Sequence, residues 1–126
     1  MTKKSSILIV VGFFLFCSCS VATYQRITAE TAYQMMQNSN NFVLLDVRTD
    51  GEFREKRIEG AILIPNTEIG KRAASELRDK KAVIIVYCRS GARATSAAKI
   101  LAEKGYTQVF NMGGIIDWPY RTIGEN

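Results

Sequence analysis

A 126-residue chain with 47% apolar and 23% charged residues and only two prolines supports one globular domain and excludes a second module, collagen-like structure and wholesale disorder. Its formal charge of +5 rests on 17 basic and 12 acidic residues; setting aside Lys3 and Lys4 as part of an export segment leaves 15 against 12, a balance of +3. The basic cluster Lys71, Arg72, Arg78, Lys80 and Lys81 alternates with Glu76 and Asp79 on a predicted helix and its exit, which describes a solvated face and not a nucleic-acid footprint.

Residues 1–22 carry the three parts of a secretory signal: cationic Lys3-Lys4, an apolar core from Ile7 to Phe16, and a small-residue exit from Ser18 to Ala22. The core is short for a membrane span, which needs about 20 apolar residues, so a retained anchor is the weaker reading. Two cleavage routes fit. Ser20-Val21-Ala22 is a small-x-small site cut after residue 22, whereas Phe16-Cys17-Ser18-Cys19 looks like a bacterial lipoprotein box, cut after residue 18 with Cys19 acylated. Phe16 and Cys17 are atypical of such a box. Either route implies export, to the periplasm or to a lipid anchor facing outside the cytoplasm, and leaves residues 23–126 as the folded domain. Cys88 is then its one available thiol, which rules out an internal disulfide framework.

Thr28 is placed to cap a helix over Ala29 to Gln37, and polar Asn38 to Asn41 ends it before an apolar strand from Phe42 to Leu45. Asp46-Val47-Arg48-Thr49-Asp50 reads as the strand exit, and Asp50 to Arg57 as a short charged helix with acidic residues in its first turn. Ala61 to Ile64 forms a further short strand closed by Pro65. Asn66 or Thr67 then caps a helix between Glu68 and Arg78, with Gly70 weakening its start. The continuous β-branched run from Ala82 to Tyr87 suits a strand covered on both faces, and alanine-rich Ala92 to Lys104 suits a helix ended by Gly105 in a left-handed cap. Gln108 to Asn111 gives the last strand, Met112-Gly113-Gly114 a turn, and Ile115 to Tyr120 a final short helix that Pro119 can enter only near its start. Strands alternating with helices predict a parallel α/β sheet with helices on both faces, whose ligands lie beyond the C-terminal strand ends.

Cys88 occupies such an end, facing a helix N-terminus across Arg89-Ser90-Gly91-Ala92-Arg93. The thiolate is the nucleophilic form of a cysteine, and this position beside arginines can lower a thiol pKa from about 8.5 into the range of roughly 3.5 to 7.5. The chain contains no histidine, which excludes a Cys-His arrangement and most zinc chemistry. Backbone amides, a helix dipole and guanidinium groups remain as activators. Ser90 and Gly91 allow a tight loop whose N–H groups form an anion-binding nest, with Gly91 supplying a positive φ. The bland reading, a strand-to-helix turn that merely needs glycine, is the weaker one beside Cys88, Arg89 and Arg93.

These residues resemble the rhodanese family of sulfurtransferases, in its small single-domain form. The resemblance extends to Asp46-Val47-Arg48 with Glu52-Phe53, to Gly60-Ala61 with Ile64-Pro65, and to Gly113-Gly114 through Trp118, in family order over about Thr28 to Tyr120. Lys56-Arg57-Ile58 departs from the Gly-His-Ile common at that point, where the histidine is usually structural. The resemblance implies a parallel sheet of about five strands flanked by helices on both faces. It further implies that Cys88 attacks a sulfane sulfur of thiosulfate or a similar anionic donor, releases sulfite and passes the sulfur from a persulfide to cyanide or a thiol. The amides of Arg89, Ser90, Gly91, Ala92 and Arg93 would surround that sulfur, with Arg89 and Arg93 attracting the donor or stiffening the loop. Asp46 and Arg48 are expected to order neighbouring loops through a salt bridge or hydrogen bonds, and Trp118 to pack in the core.

Protein tyrosine phosphatases also place a cysteine on a strand-to-helix loop, but five residues precede their arginine, whereas four separate Cys88 from Arg93 and position 94 is alanine. Phosphatase and arsenate-reductase versions of the fold carry a loop one residue longer, so loop length favours sulfur. A non-catalytic module binding sulfur species or a partner protein is the other alternative. The intact Cys88 argues against it. No metal or organic cofactor is indicated.

Overall fold

The computed structural model describes residue 12 and residues 22–125. Apart from Gly12 and Ala22, the expected export signal, with Cys17 and the lipidation candidate Cys19, lies outside the described residues. Strands β1 (Gln25–Arg26), β2 (Val43–Asp46), β4 (Ile62–Leu63), β5 (Val83–Cys88) and β6 (Gln108–Gly114) form one five-stranded parallel sheet in the order β1-β6-β5-β2-β4. Helices α1 (Ala29–Asn38), α2 (Asp50–Glu55), α3 (Ile69–Glu76) and α4 (Ala92–Glu103) connect them, and β3 (Arg57–Ile58) pairs antiparallel with β7 (Thr122–Ile123).

The run Val83 to Cys88 is apolar throughout because β5 lies at the centre of the sheet, with helices on both sides. Strand alternation divides its side chains between two cores. Ile84, Val86 and Cys88 join Leu45, Val47, Ile69, Ala73 and the α4 residues Ala94, Ala97, Ala98 and Leu101. Ile85 and Tyr87 join Ala32, Leu44, Ile115 and Trp118 on the other side. Cys88 is thereby directed towards α4. Trp118 packs edge-on to Tyr33 and Tyr120, the core placement expected of it.

Local chemistry sets most boundaries. Thr28 Oγ1 accepts the Thr31 N–H at 3.1 Å and starts α1 as expected. Thr49 and Glu52 close a capping box on α2, which stops at Glu55 instead of Arg57 because Lys56 turns extended to feed β3. Neither Asn66 nor Thr67 caps the third helix: residues Asn66–Glu68 form a 3-10 turn, and the Asn66 N–H donates to the Val47 carbonyl instead. That helix ends at Glu76, where the buried Tyr106 hydroxyl donates to the Ala73 and Leu77 carbonyls.

Three further expectations are corrected. Met112-Gly113-Gly114 is not a turn: β6 continues through Gly114, pairing it with Cys88 after a bulge between Val86 and Cys88. Ile115 to Tyr120 is not a helix beyond a 3-10 turn at Ile115–Asp117, because Trp118 is held extended before Pro119. The strand expected over Ala61 to Ile64 pairs only at Ile62–Leu63, where it forms a sheet edge, and the edge strand β1 and the β3–β7 pair have no counterpart in the sequence pattern. Two-residue strands carry no periodicity that a sequence pattern can register.

Candidate active site

Helix α4 reaches the sheet closely because its inward positions are alanines, and Gly91 turns the chain into it with φ 119° and ψ −23°. A side chain is strained in that left-handed region. The Gly91 N–H donates to Cys88 Sγ at 3.0 Å, and the sulfur lies in a residue only 1% exposed. Unlike α1 and α2, α4 has no side-chain cap, so its first-turn N–H groups meet no side-chain acceptor at the N-cap. Their partial positive charge is directed at the end of β5.

The floor of this loop is β6. A Cβ on Gly114 would stand 2.1 Å from the Arg89 carbonyl oxygen and 2.6 Å from Ser90 Cα, so only glycine lets the two backbones meet. The Ile116 N–H donates to that same Arg89 carbonyl at 3.2 Å. Asn111, 3% exposed, accepts the Gly113 N–H at 2.9 Å and donates to Thr95 Oγ1 on α4 at 3.1 Å, which joins floor and helix. The sequence displayed the Gly-Gly pair but not its contact with the loop.

The two arginines differ. Arg89 and Ser90 are exposed, and Arg89 has no ion-pair partner among the described residues. Arg93 donates through both terminal nitrogens to Glu52, at 2.8 and 3.0 Å, across 41 positions of sequence. Hydrogen bonds from Arg93 hold the Glu52 carboxyl at about 2, outweighing burial and assisted by Thr49. The Glu52 charge therefore stabilises the fold fully above its unfolded pKa near 4.5, and that contribution is lost as pH falls towards 2. Thermal melts between pH 5 and about pH 2 are expected to fall more steeply for the natural protein than for Glu52→Gln; parallel curves would contradict the assignment.

Asp46 and Arg48 form a buried ion pair, 0% and 5% exposed, with Arg48 Nε and Nη2 donating to the carboxylate at 2.7 to 3.1 Å. Arg48 Nη2 also donates to the Lys56 carbonyl, and the guanidinium carbon lies 5.7 Å from the centre of the Tyr87 ring. The Tyr87 hydroxyl accepts the Ile58 N–H at 3.2 Å, with its pKa raised by burial first and by Asp46. Burial alone would lower the Arg48 pKa, but hydrogen bonds to Asp46 and the Asp46 charge raise it. Asp46 pairs in register with Tyr87, one position before Cys88, so strand alternation directs it to the other sheet face. The pair ties β2 to the end of α2, and the Tyr87 hydroxyl ties β5 to β3. Asp46→Ala leaves a buried guanidinium unpaired and is expected to cost about 3–5 kcal/mol, read from the urea midpoint, with Asp46→Ala/Arg48→Met recovering much of it. A loss below about 1 kcal/mol would contradict this placement.

A cleft of about 500 Å³ lies elsewhere, between α1 and the starts of β2 and β5. Its lining includes Glu30, Gln34, Met35, Phe42 and Val83 but neither a thiol nor a cation, and it sits at the opposite strand ends from Cys88.

A family model described as a rhodanese-like domain matches residues 28–119. The thiosulfate sulfurtransferase PspE of Escherichia coli strain K12 is 40% identical over 73 residues, covering 58% of this chain and 70% of that protein. A sulfurtransferase of Allochromatium vinosum is 34% identical over 94 residues, covering 74% and 86%. A solved structure described as a rhodanese with anions from E. coli superposes with a TM-score of 0.62 at 35% identity, covering 66% of this chain and 98% of that one.

Proposed function

The chain belongs to the rhodanese-like domain family, and we propose that it transfers a sulfane sulfur from thiosulfate or a similar anionic donor through a persulfide on Cys88. The observation that carries this reading is the Gly91 N–H donated to Cys88 Sγ at 3.0 Å, at the N-terminus of a helix with no side-chain cap. Cys88 thiolate attacks the outer sulfur of thiosulfate; a sulfur–sulfur bond forms to Cys88 as the donor's own breaks, and its electron pair leaves with sulfite. The terminal sulfur then carries the negative charge beside the amides of Ser90, Gly91, Ala92 and Arg93. Attack on that sulfur by cyanide or a thiolate yields thiocyanate or a new persulfide and restores Cys88 thiolate.

The sulfurtransferase relatives and the structure of a rhodanese with anions support a sulfur donor of this charge. Peptide mass spectrometry after thiosulfate treatment is expected to find one added sulfur atom on the Cys88 peptide, removed by cyanide with release of thiocyanate. An unmodified Cys88 peptide after both thiosulfate and polysulfide treatment would sink the reading, and hydrolysis of an aryl phosphate at a comparable rate would redirect it to phosphoryl transfer. The pattern of residues 1–22 extends the proposal to an exported domain. Intact mass of the exported protein distinguishes cleavage after residue 18, with lipid on Cys19, from cleavage after residue 22, and a full-length unprocessed mass contradicts both.

A further inference from the structure

Arg93 stands on the first turn of α4, next to the Cys88 loop, and its fork is occupied by Glu52 on the first turn of α2. Glu52 is itself fixed by Thr49, which donates to Oε2 from its N–H at 2.9 Å and from its hydroxyl at 3.0 Å. A bidentate guanidinium–carboxylate pair constrains orientation as well as distance, so the Arg93 fork is engaged by Glu52 and not open to a second bidentate anion. Arg89 is exposed, while its backbone is held by Ile116 and Gly114. With Cys88 as thiolate, the charges of Arg89, Arg93, Glu52 and Cys88 sum to zero, so a donor anion meets a local cation and not a strong net field.

We propose that Glu52 is a positioning residue of the sulfur site: it holds Arg93 as a brace between α2 and the Cys88 loop, and so leaves Arg89 to meet the anionic donor. The kinetic part of this inference rests on the sulfur-transfer reading above; the placement of charge does not. Glu52→Gln suits the test because glutamine at the third helical position preserves a capping box, while the charge that fixes Arg93 is removed.

In the full chain, Glu52→Gln is expected to lower kcat for thiosulfate about tenfold and to steepen the salt dependence of kcat/KM, since Arg93 is then uncompensated. Adding Glu52→Gln to Arg93→Ala is expected to cost less than about twofold more, because Glu52 acts through Arg93. Arg89→Ala is expected to raise KM more than it lowers kcat and to flatten the salt dependence. Additive losses in the double variant, or a salt dependence unmoved by Glu52→Gln, would overturn the inference. A second readout is independent of sulfur transfer: the rate of Cys88 alkylation by anionic iodoacetate relative to neutral iodoacetamide, followed on the Cys88 peptide. That ratio is expected to rise about threefold in Glu52→Gln and to fall in Arg89→Ala. If the natural protein transfers no sulfur but these ratios move as stated, the functional reading fails and the brace stands. Unmoved ratios in a protein that turns over remove the brace alone.

Discussion

Cys88→Ser is expected to abolish sulfur transfer, lowering turnover of thiosulfate and cyanide by a factor on the order of 10³ or more. Among the described residues the group hydrogen-bonded at this position is the Gly91 N–H, a donor and not a base, the chain contains no histidine, and neutral hydroxyl oxygen is a poor nucleophile at sulfur. The fold tolerates the change. Serine differs from cysteine in one atom, the Gly91 N–H at 3.0 Å can donate to its hydroxyl, and the surrounding alanines of α4 are undisturbed. A stability change within about 1.5 kcal/mol is therefore expected alongside the lost turnover. Sulfite and thiocyanate formation, measured beside a thermal melt, separates the two effects, and equal turnover in both proteins would remove Cys88 from the mechanism.

Gly114→Ala is expected to lower kcat/KM about a hundredfold although residue 114 carries no reactive group, since a displacement near 1 Å at a reacting centre costs about that much. The new methyl would meet backbone at 2.1 Å, and backbone cannot rotate aside as a side chain can. Either the Arg89-Ser90 segment lifts, carrying the Gly91 amide from the sulfur, or β6 shifts and disturbs the Asn111 bridge to α4. The stability loss expected from such overpacking is about 1–3 kcal/mol. Gly91→Ala makes the comparison informative: its new Cβ would stand 3.7 Å from Gly113 Cα, so it is disfavoured by its positive φ and not by contact. Retention of natural turnover in Gly114→Ala would show that the loop geometry is not set from β6.

Much of the fold is legible in local pattern. The β-branched run Ala82 to Tyr87 suits a strand covered on both faces, observed at Val83–Cys88, and alanine-rich Ala92 to Lys104 suits a helix, observed at Ala92–Glu103. Gly91 also discloses its left-handed cap, because a turn from strand to helix at that spacing calls for the one residue without a Cβ. The errors fall where sequence gives a pattern with two meanings. Gly113-Gly114 reads as a turn because glycine usually marks one, whereas here it allows strand and loop backbones to touch.

By itself, then, the sequence determined the alternation of strands and helices, the placement of one thiol at a strand end before a helix N-terminus, and the absence of any histidine to activate it. Those properties depend on residues close in the chain. Which cation is paired and which, among the described residues, is not follows from the packing of two helices, which brings Glu52 and Arg93 together across 41 positions. Tertiary structure also decided that Asp46 lies on the sheet face opposite Cys88, and that β6 forms the floor of the loop. Short-range pattern specifies backbone conformation, but the pairing of distant charges and the contact of distant backbones are fixed only when the sheet register brings them together.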